Sequence, residues 1–436
     1  MGKFRHYAAD YKQAPYWWEA TDLAATCESP SSLPDSIDVA IIGGGYTGLS
    51  AALTLARGGR SVVVLDSETP GYGCSSRNGG LIGPSFHKLG LKGLKAEYGE
   101  AKAVEILQES MDSLHFLTNF IETEKLDCDL HKTGRFRGAI RPGHYENMAR
   151  EIETLSKAVD FKADMISRSE QRAEIGSDSY YGGAVYHLDG HIHPGKFAQG
   201  LTTLVKQAGG RLFGGARVAG VQKEGEGFAL KVGASVLKAR DVLVATNGYT
   251  DKGLQKFRRR LVPLRSAIIA TEPLSEDVIR EISPKNRGFG ETSRLIVYYR
   301  LSPDSTRLIF GGRTFDFAER PENYCIDLYD KMTHIFPQLM GTKVTHSWSG
   351  TVAYTFDHAQ HLGQMDGLWH SMGYCGSGVG RATYFGNKVA LKILGSPEGR
   401  TSLDGLSFEG NPFYTGYPWF LPAIIRWHAM ADKLGL

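Results

Sequence analysis

Two interleaved sheets, one parallel and helix-covered, the other mostly antiparallel, are what this sequence predicts; the fold class is α/β. Three observations carry the prediction. Residues 37–66 read as strand, glycine loop, helix and strand. A second glycine-rich helix start, residues 373–380, stands near the other end of the chain. Between them the β-rich stretches 261–271, 294–301 and 306–312 suggest a second sheet that is antiparallel.

The first unit is the most informative. Ile37 to Ile42 is a short apolar run rich in β-branched residues, the pattern of a buried parallel strand. Gly43 to Gly48 then matches G-x-G-x-x-G. Gly43 permits the tight turn, Gly45 lets the backbone approach a pyrophosphate, and Gly48 lets the helix pack close to the strand. The helix begins at Tyr46 and Thr47 and offers its free N–H groups and positive dipole end to phosphate. Gly58 and Gly59 end it, and Ser61 to Leu65 form a strand closing on Asp66. That acid follows the first glycine by about twenty residues, where a carboxylate takes both hydroxyls of a ribose. An ordinary glycine-rich turn would leave Asp66 unexplained, so the unit is read as a Rossmann-like nucleotide-binding βαβ.

The rest follows in chain order. Residues 1–36 are a lead-in whose Tyr16-Trp17-Trp18 packs on the body, since three exposed aromatics would invite aggregation. The loop from Pro70 to Gly80 is rich in glycine and hydrogen-bonding side chains and is placed to wrap a dinucleotide. Helical spacing marks 92–125 and 145–160. Residues 183–194 alternate as a strand pair, 194–208 read as a helix, and Arg217 to Val221 with Phe228 to Val232 as a hairpin. Asp241 to Ala245 is an apolar strand ending in Thr246-Asn247-Gly248, the carboxyl end at which doubly wound sheets bind ligands. The basic run Lys256, Arg258, Arg259, Arg260 reads as a solvated stretch. Trp348-Ser349-Gly350-Thr351 begins a loop, Leu368 to Tyr374 is a strand, and the second glycine-rich start opens a helix to about Leu394. The expected division is 1–90, 190–255 and 345–404 for the nucleotide-binding domain, 91–189 and 256–344 for a substrate domain, and 405–436 for a docked tail.

Composition excludes several classes. With 436 residues the chain has material for two or three domains and a large core. The formal charge of +3 is too small, and its lysines and arginines too dispersed, to argue for nucleic acid. Five cysteines make no C-x-x-C pair, which fits reduced thiols in a cytoplasm better than a disulfide frame or a zinc site. His191 and His193 share a strand face near His187, but beyond Asp189 no further acid or cysteine stands near them. Hydrogen-bonded strand histidines are therefore expected, and no metal site is assigned. The amino-terminal stretch lacks an apolar core of signal-peptide length, and the apolar run 37–56 belongs to the βα unit, so a cytoplasmic protein without a membrane partner is expected.

The stretches 41–56, 76–80, 244–248, 298–301, 308–313 and 373–378 together resemble the D-amino-acid oxidase-like superfamily of FAD enzymes, glycine and sarcosine oxidases among them. The nearest branch is that of the gamma-glutamylputrescine oxidases. The resemblance implies FAD wedged between two domains, with a β-sheet roofing the substrate. It implies cofactor contacts from Gly43, Gly45, Tyr46, Thr47 and Gly48, and from Asp66 and Ser67 at the ribose. Gly73, Cys74, Ser75, Arg77, Asn78, Gly79, Gly80 and Leu81 would wrap the dinucleotide. Val218, Ala245, Thr246, Asn247 and Gly248, then Gly350, Gly373, Cys375, Gly376, Ser377, Gly378 and Val379, complete the set. The helix starting near Gly376 would turn its dipole, roughly half a positive charge, toward the flavin edge that becomes anionic on reduction.

The chemistry so implied is amine oxidation, a hydride leaving the carbon beside nitrogen for the flavin and the imine then hydrolysing. One complete dinucleotide fingerprint leaves no second one for NAD(P)H, so electrons are expected from the organic substrate. Tyr299, Arg313, Trp348 and Thr351 are the candidate catalytic residues, with Tyr298, Arg300 and Tyr354 as further pocket candidates. The arginines point to a small primary or secondary amine bearing an anionic group, reoxidation falling to O2 or another acceptor. Two departures from relatives matter. The strand Leu308-Ile309-Phe310 lacks the lysine that some sarcosine oxidases use on oxygen, so slow reoxidation is expected. Val352-Ala353-Tyr354 lacks the cysteine that anchors flavin covalently, so FAD is expected to be non-covalent. Oxidation of a 2-hydroxyacid remains open, although no histidine base pair is well placed for it, and so does a flavin-binding protein without turnover.

Overall fold

The computed structural model describes residues 4–313 and 320–434. In the first sheet the strands Arg211–Phe213, Val62–Leu65, Ser36–Ile42 and Ser235–Val244 run parallel in that order. Leu368–Met372 continues the parallel run beside Leu243 and Val244, and the hairpin Val218–Glu224 and Gly227–Val232 extends the sheet antiparallel. Val62, Val63, Val64 and Leu65 are at most 2% exposed, because helices and loops cover both faces of a parallel sheet. Each such side chain contributes about 1.5–3 kcal/mol by burial. A charged residue at Val64 would be left without a partner in that layer.

The helix Tyr46–Arg57 lies against the helix Gly378–Ile393. Small residues make this possible: a Cβ at Gly386 would collide with the carbonyl of Thr47, and Ser50 Oγ donates to the carbonyl of Thr383 at 2.6 Å. The two glycine-started helices thereby bring their amino ends to one place.

The second sheet has nine strands among the described residues. Their order is Tyr7–Lys12, Val344–Tyr354, Val262–Thr271, Leu308–Arg313, Val297–Leu301, Gly288–Glu291, Arg135–Gly138, Gly183–Tyr186 and Ala163–Ile166. It is antiparallel except where Tyr7–Lys12 meets Val344–Tyr354 and where Gly288–Glu291 meets Arg135–Gly138. One of its faces packs a core in which Tyr299 stacks between Phe289 and Phe310.

Four expectations change. Trp348 to Thr351 is no loop: it lies in the strand Val344–Tyr354, where Trp348, Ser349, Gly350 and Thr351 pair with Ile268, Ala267, Ser266 and Arg265. That strand and Tyr7–Lys12, grouped above with the first sheet, both belong to the second, because pairing partners distant in sequence decide sheet membership. The helical stretch 92–125 is two helices, Gly90–Tyr98 and Glu100–Thr123, divided at Gly99 with φ of +82°. Finally, the basic run, though solvated at Lys256 and Arg259, also binds other parts of the chain. Arg259 donates to the carbonyl of Tyr414 (3.1 Å) and Arg260 to that of Phe408 (2.6 Å), fastening the tail to the body.

The tail ends in the helix Leu421–Leu434, where the Asp432 carboxylate accepts the backbone N–H of Arg294 at 3.0 Å. No helix among the described residues is long and apolar enough to cross a membrane. The three histidines take separate partners. His187 bonds Asp164 (2.7 Å), His191 meets the carbonyl of Asn286 (3.2 Å), and His193 caps the helix Pro194–Gln207 by accepting Lys196 N–H (3.1 Å).

Candidate active site

A cavity of about 800 Å³ lies between the sheets, and both glycine-started helices open onto it, through Gly45, Tyr46 and Thr47 and through Ser377, Gly378 and Val379. Its size is at the upper end for small-molecule sites. Gly43 turns the chain at φ +105°, and a Cβ there would stand 2.8 Å from the carbonyl oxygen of Ala245. Asp66 sits beside this turn with Oδ2 accepting Gly44 N–H at 2.7 Å and Oδ1 accepting Glu68 N–H at 2.9 Å. Burial raises its pKa, and those two donors work against the rise. Each carboxylate oxygen keeps a lone pair for a further donor.

Ser67, Val218, Ala245, Thr246 and Asn247 line the same end of the cavity. Three predicted contacts stand behind its wall instead. Gly48 fits the helix against the Gly43 carbonyl, and Gly248 lets the backbone pass Thr351. Gly373, at φ +89°, donates its N–H to Asn247 Oδ1 at 2.9 Å. Small size at these positions serves backbone packing, so the glycine pattern overstated the ligand contacts.

The loop over the middle of the cavity presents Gly73, Cys74, Ser75, Arg77, Asn78, Gly79, Gly80 and Leu81 to it. Ser75 Oγ accepts Tyr46 N–H at 2.9 Å, joining the loop to the first helix start. Asn78 donates to the carbonyls of Cys74 (2.9 Å) and Ser75 (3.0 Å) and accepts Gly80 N–H (2.7 Å), which folds the loop on itself. The Arg77 guanidinium lies against the neighbouring rings of Trp18 and Tyr72, 4.6 and 4.3 Å from their centroids. Gly350 faces Cys74 closely, and the Cys74 thiol donates to the carbonyl of Thr351 at 3.0 Å. Burial pushes Cys74 up to about 11 and raises Cys375 as well, so both remain thiols.

The other end of the cavity is roofed by the second sheet. Tyr298, Arg313, Trp348 and Thr351 all reach it. Tyr298 shares a hydrogen bond with Ser266 Oγ at 2.9 Å, and Trp348 donates to the carbonyl of Arg77 at 2.9 Å. Arg313 donates to Tyr354 Oη at 3.2 Å, and its guanidinium lies against Gly376, with no carboxylate bonded to it among the described residues. Lys88 also lines this end. Burial by the cavity walls lowers it to about 8, helped by the charges of Arg313 and Arg137, although by area the side chain is exposed to the open space.

Two predicted residues leave the site. Tyr299 points through the opposite face of its strand, is 1% exposed, and shares a hydrogen bond with Tyr180 Oη at 2.8 Å. Alternate residues of a strand face opposite ways, so only Tyr298 of the pair reaches the cavity. Arg300 shares the Tyr298 face but never reaches the opening. Its Nε donates to the carbonyl of Leu301 (2.9 Å) and Nη1 to that of Ile192 (2.8 Å), and burial pushes it down to about 9. Lys88 was missed because it stands in an irregular loop with no periodicity. Its closeness to the glycine-rich loop in sequence was the available signal.

The family model of FAD dependent oxidoreductases matches residues 38–391. Gamma-glutamylputrescine oxidoreductase of Escherichia coli (strain K12) is 31% identical, the match covering 99% of this chain and 98% of that protein. Among solved structures, glycine oxidase from Geobacillus kaustophilus superposes with a TM-score of 0.71 at 18% identity, over 87% of this chain and 99% of that one. L-proline dehydrogenase from P. horikoshii gives 0.70 at 20% identity, over 85% and 96%.

Proposed function

The chain belongs to the FAD dependent oxidoreductase family, and we propose that it oxidises the C–N bond of a small primary or secondary amine that carries an anionic group. FAD is its cofactor. The residues present fit that group: two helix amino ends and a glycine turn face one elongated cavity, and Asp66 retains acceptor capacity beside the turn. In this reading Asp66 holds the ribose hydroxyls, the helix starts at Tyr46 and Ser377 receive anionic oxygens, and the loop Gly73–Leu81 closes over the dinucleotide. When bound, FAD supplies the two-electron acceptor for hydride from the carbon beside nitrogen.

Everything else falls to side chains. One observation carries the substrate assignment: Arg313 is a fixed cation on the cavity wall with no carboxylate bonded to it among the described residues. A guanidinium so placed binds a carboxylate by two parallel hydrogen bonds and orients the ligand from that end. Lys88 adds a second positive charge. Together they disfavour an ammonium nearby, so the reacting nitrogen is held as the neutral amine whose lone pair assists hydride departure. Tyr298 and Trp348 wall the slot and exclude water, Tyr298 being fixed by Ser266. Thr351 offers its side chain at the same wall. The gamma-glutamylated diamines suggested by the Escherichia coli relative's name have this shape, an amine at one end and a carboxylate at the other. Anaerobic addition of a panel of amines to the yellow holoenzyme tests the proposal: anionic amines should bleach the flavin, and bleaching by 2-hydroxyacids alone would overturn it.

A further inference from the structure

We infer that the amino-terminal segment Tyr16–Ala20, which precedes the family match at residue 38, positions the cofactor-facing loop through its two indole N–H groups. Trp18 Nε1 donates to Ser76 Oγ at 2.9 Å, and Trp17 Nε1 donates to the carbonyl of Asn78 at 2.9 Å. A third indole completes the row, Trp348 Nε1 donating to the carbonyl of Arg77 at 2.9 Å. Three tryptophans from two distant parts of the chain therefore hold three successive residues, 76, 77 and 78.

That stretch needs external support. It has no strand partner, and the nearby Gly73, Gly79 and Gly80 lower the cost of other backbone conformations. The donors, in contrast, are rigid. Trp17 is fully buried and meets Trp348 edge to face at 6.1 Å. Arg300 lies over the Trp17 ring at 5.3 Å, and His193 packs against it at 5.1 Å. This gives the buried Arg300 a role: with its bonds to the carbonyls of Leu301 and Ile192 it backs the indole. Trp18 additionally packs against the Arg77 guanidinium beside Tyr72, the two rings meeting at 5.4 Å. Trp17 and Trp348 also share one apolar cluster with Ile268 and Ile309 of the second sheet, so the loop of one sheet is pinned to the other. The loop's inner side, including Arg77, Asn78 and Gly79, faces the cavity, so its position sets the shape offered to the flavin.

The test uses the holoenzyme and conservative changes. Trp18→Phe and Ser76→Ala each remove the same hydrogen bond while keeping most of the packing. Each should speed FAD release on dilution, read by recovery of flavin fluorescence, by about fivefold to tenfold, and should change the visible circular dichroism of the bound flavin. The double variant should do no more than either single one, the signature of a shared interaction. Trp17→Phe should act in the same direction, and Trp427→Phe in the exposed tail helix should change nothing. Unchanged FAD release and flavin dichroism in both Trp18→Phe and Ser76→Ala would overturn the inference. So would strictly additive effects in the double variant, which would mean that the indole acts on general stability alone. Trp18 is only half-buried, so this pair remains informative if Trp17→Phe fails to fold.

Discussion

The Arg313 guanidinium occupies the space that a side chain at residue 376 would fill: a Cβ built on Gly376 collides with Nη2 of Arg313. One residue ends a roof strand of the second sheet, and the other precedes the helix Gly378–Ile393 of the first. The contact ties the cation to the helix amino end. Gly376 also holds φ of +87°, which an L side chain adopts only with strain. Gly376→Ala should therefore cost more than about 1 kcal/mol of stability. It should also raise the apparent KM for an anionic amine at least tenfold by displacing Arg313. Thermal unfolding and steady-state kinetics on one preparation check both.

Asp66→Ala should lose hydrogen bonds to the ribose worth about 1.5–3 kcal/mol each. The purified variant should carry less flavin per protein, measured by its absorbance ratio. In the native protein acid precipitation should leave all the flavin in the supernatant. Flavin held in the pellet would mean a covalent link, and Cys74 or Cys375 would be the place to look.

Lys88 gives the pH dependence a definite sign. With its pKa lowered to about 8, it is protonated at pH 7 and loses its charge as pH rises through 8. The apparent KM for an anionic amine should rise across that window, and Lys88→Met should flatten the profile. The stability effect runs the other way. Between about pH 8 and the ordinary lysine value near 10.4 the unfolded chain binds more protons, so this group makes the empty protein more stable as pH rises. Lys88→Met should accordingly raise the Tm of the flavin-free protein at pH 7 while weakening anion binding.

Reoxidation by O2 should be slow. Leu308, Ile309 and Phe310 are at most 2% exposed and put no cation on their stretch of the roof strand. Stopped-flow mixing of the reduced enzyme with air-saturated buffer measures the rate. A fast reaction would assign the role to Arg313 or Lys88.

The nucleotide half was legible because its signals are local: Gly43, the helix from Tyr46 and Asp66 lie within one βαβ unit, where spacing alone fixes geometry. The roof was legible only in part. Tyr298 and Tyr299 have near-identical sequence surroundings, and a shift of one residue exchanges cavity for core. Arg300 and Arg313 read alike as cations on neighbouring strands, yet the Ile192 and Leu301 carbonyls that consume Arg300 come from folding, not from periodicity. The strand Val344–Tyr354 looked like a loop because its neighbours Tyr7–Lys12 and Val262–Thr271 are distant in the chain. Trp17 and Trp18 were read as packing, since nothing near them in sequence names Ser76 or Asn78 as acceptors.

The central claim is that Arg313 selects an anionic amine. The most direct measurement is the rate of anaerobic flavin bleaching by an anionic amine and by its neutral amide, in the native enzyme and in Arg313→Met. The account predicts that the native enzyme strongly prefers the anion. In the variant that preference should collapse by at least tenfold, through a higher concentration needed for half-maximal bleaching, while the amide reacts as before. Equal treatment of anion and amide by both proteins would contradict it and leave Arg313 a structural residue.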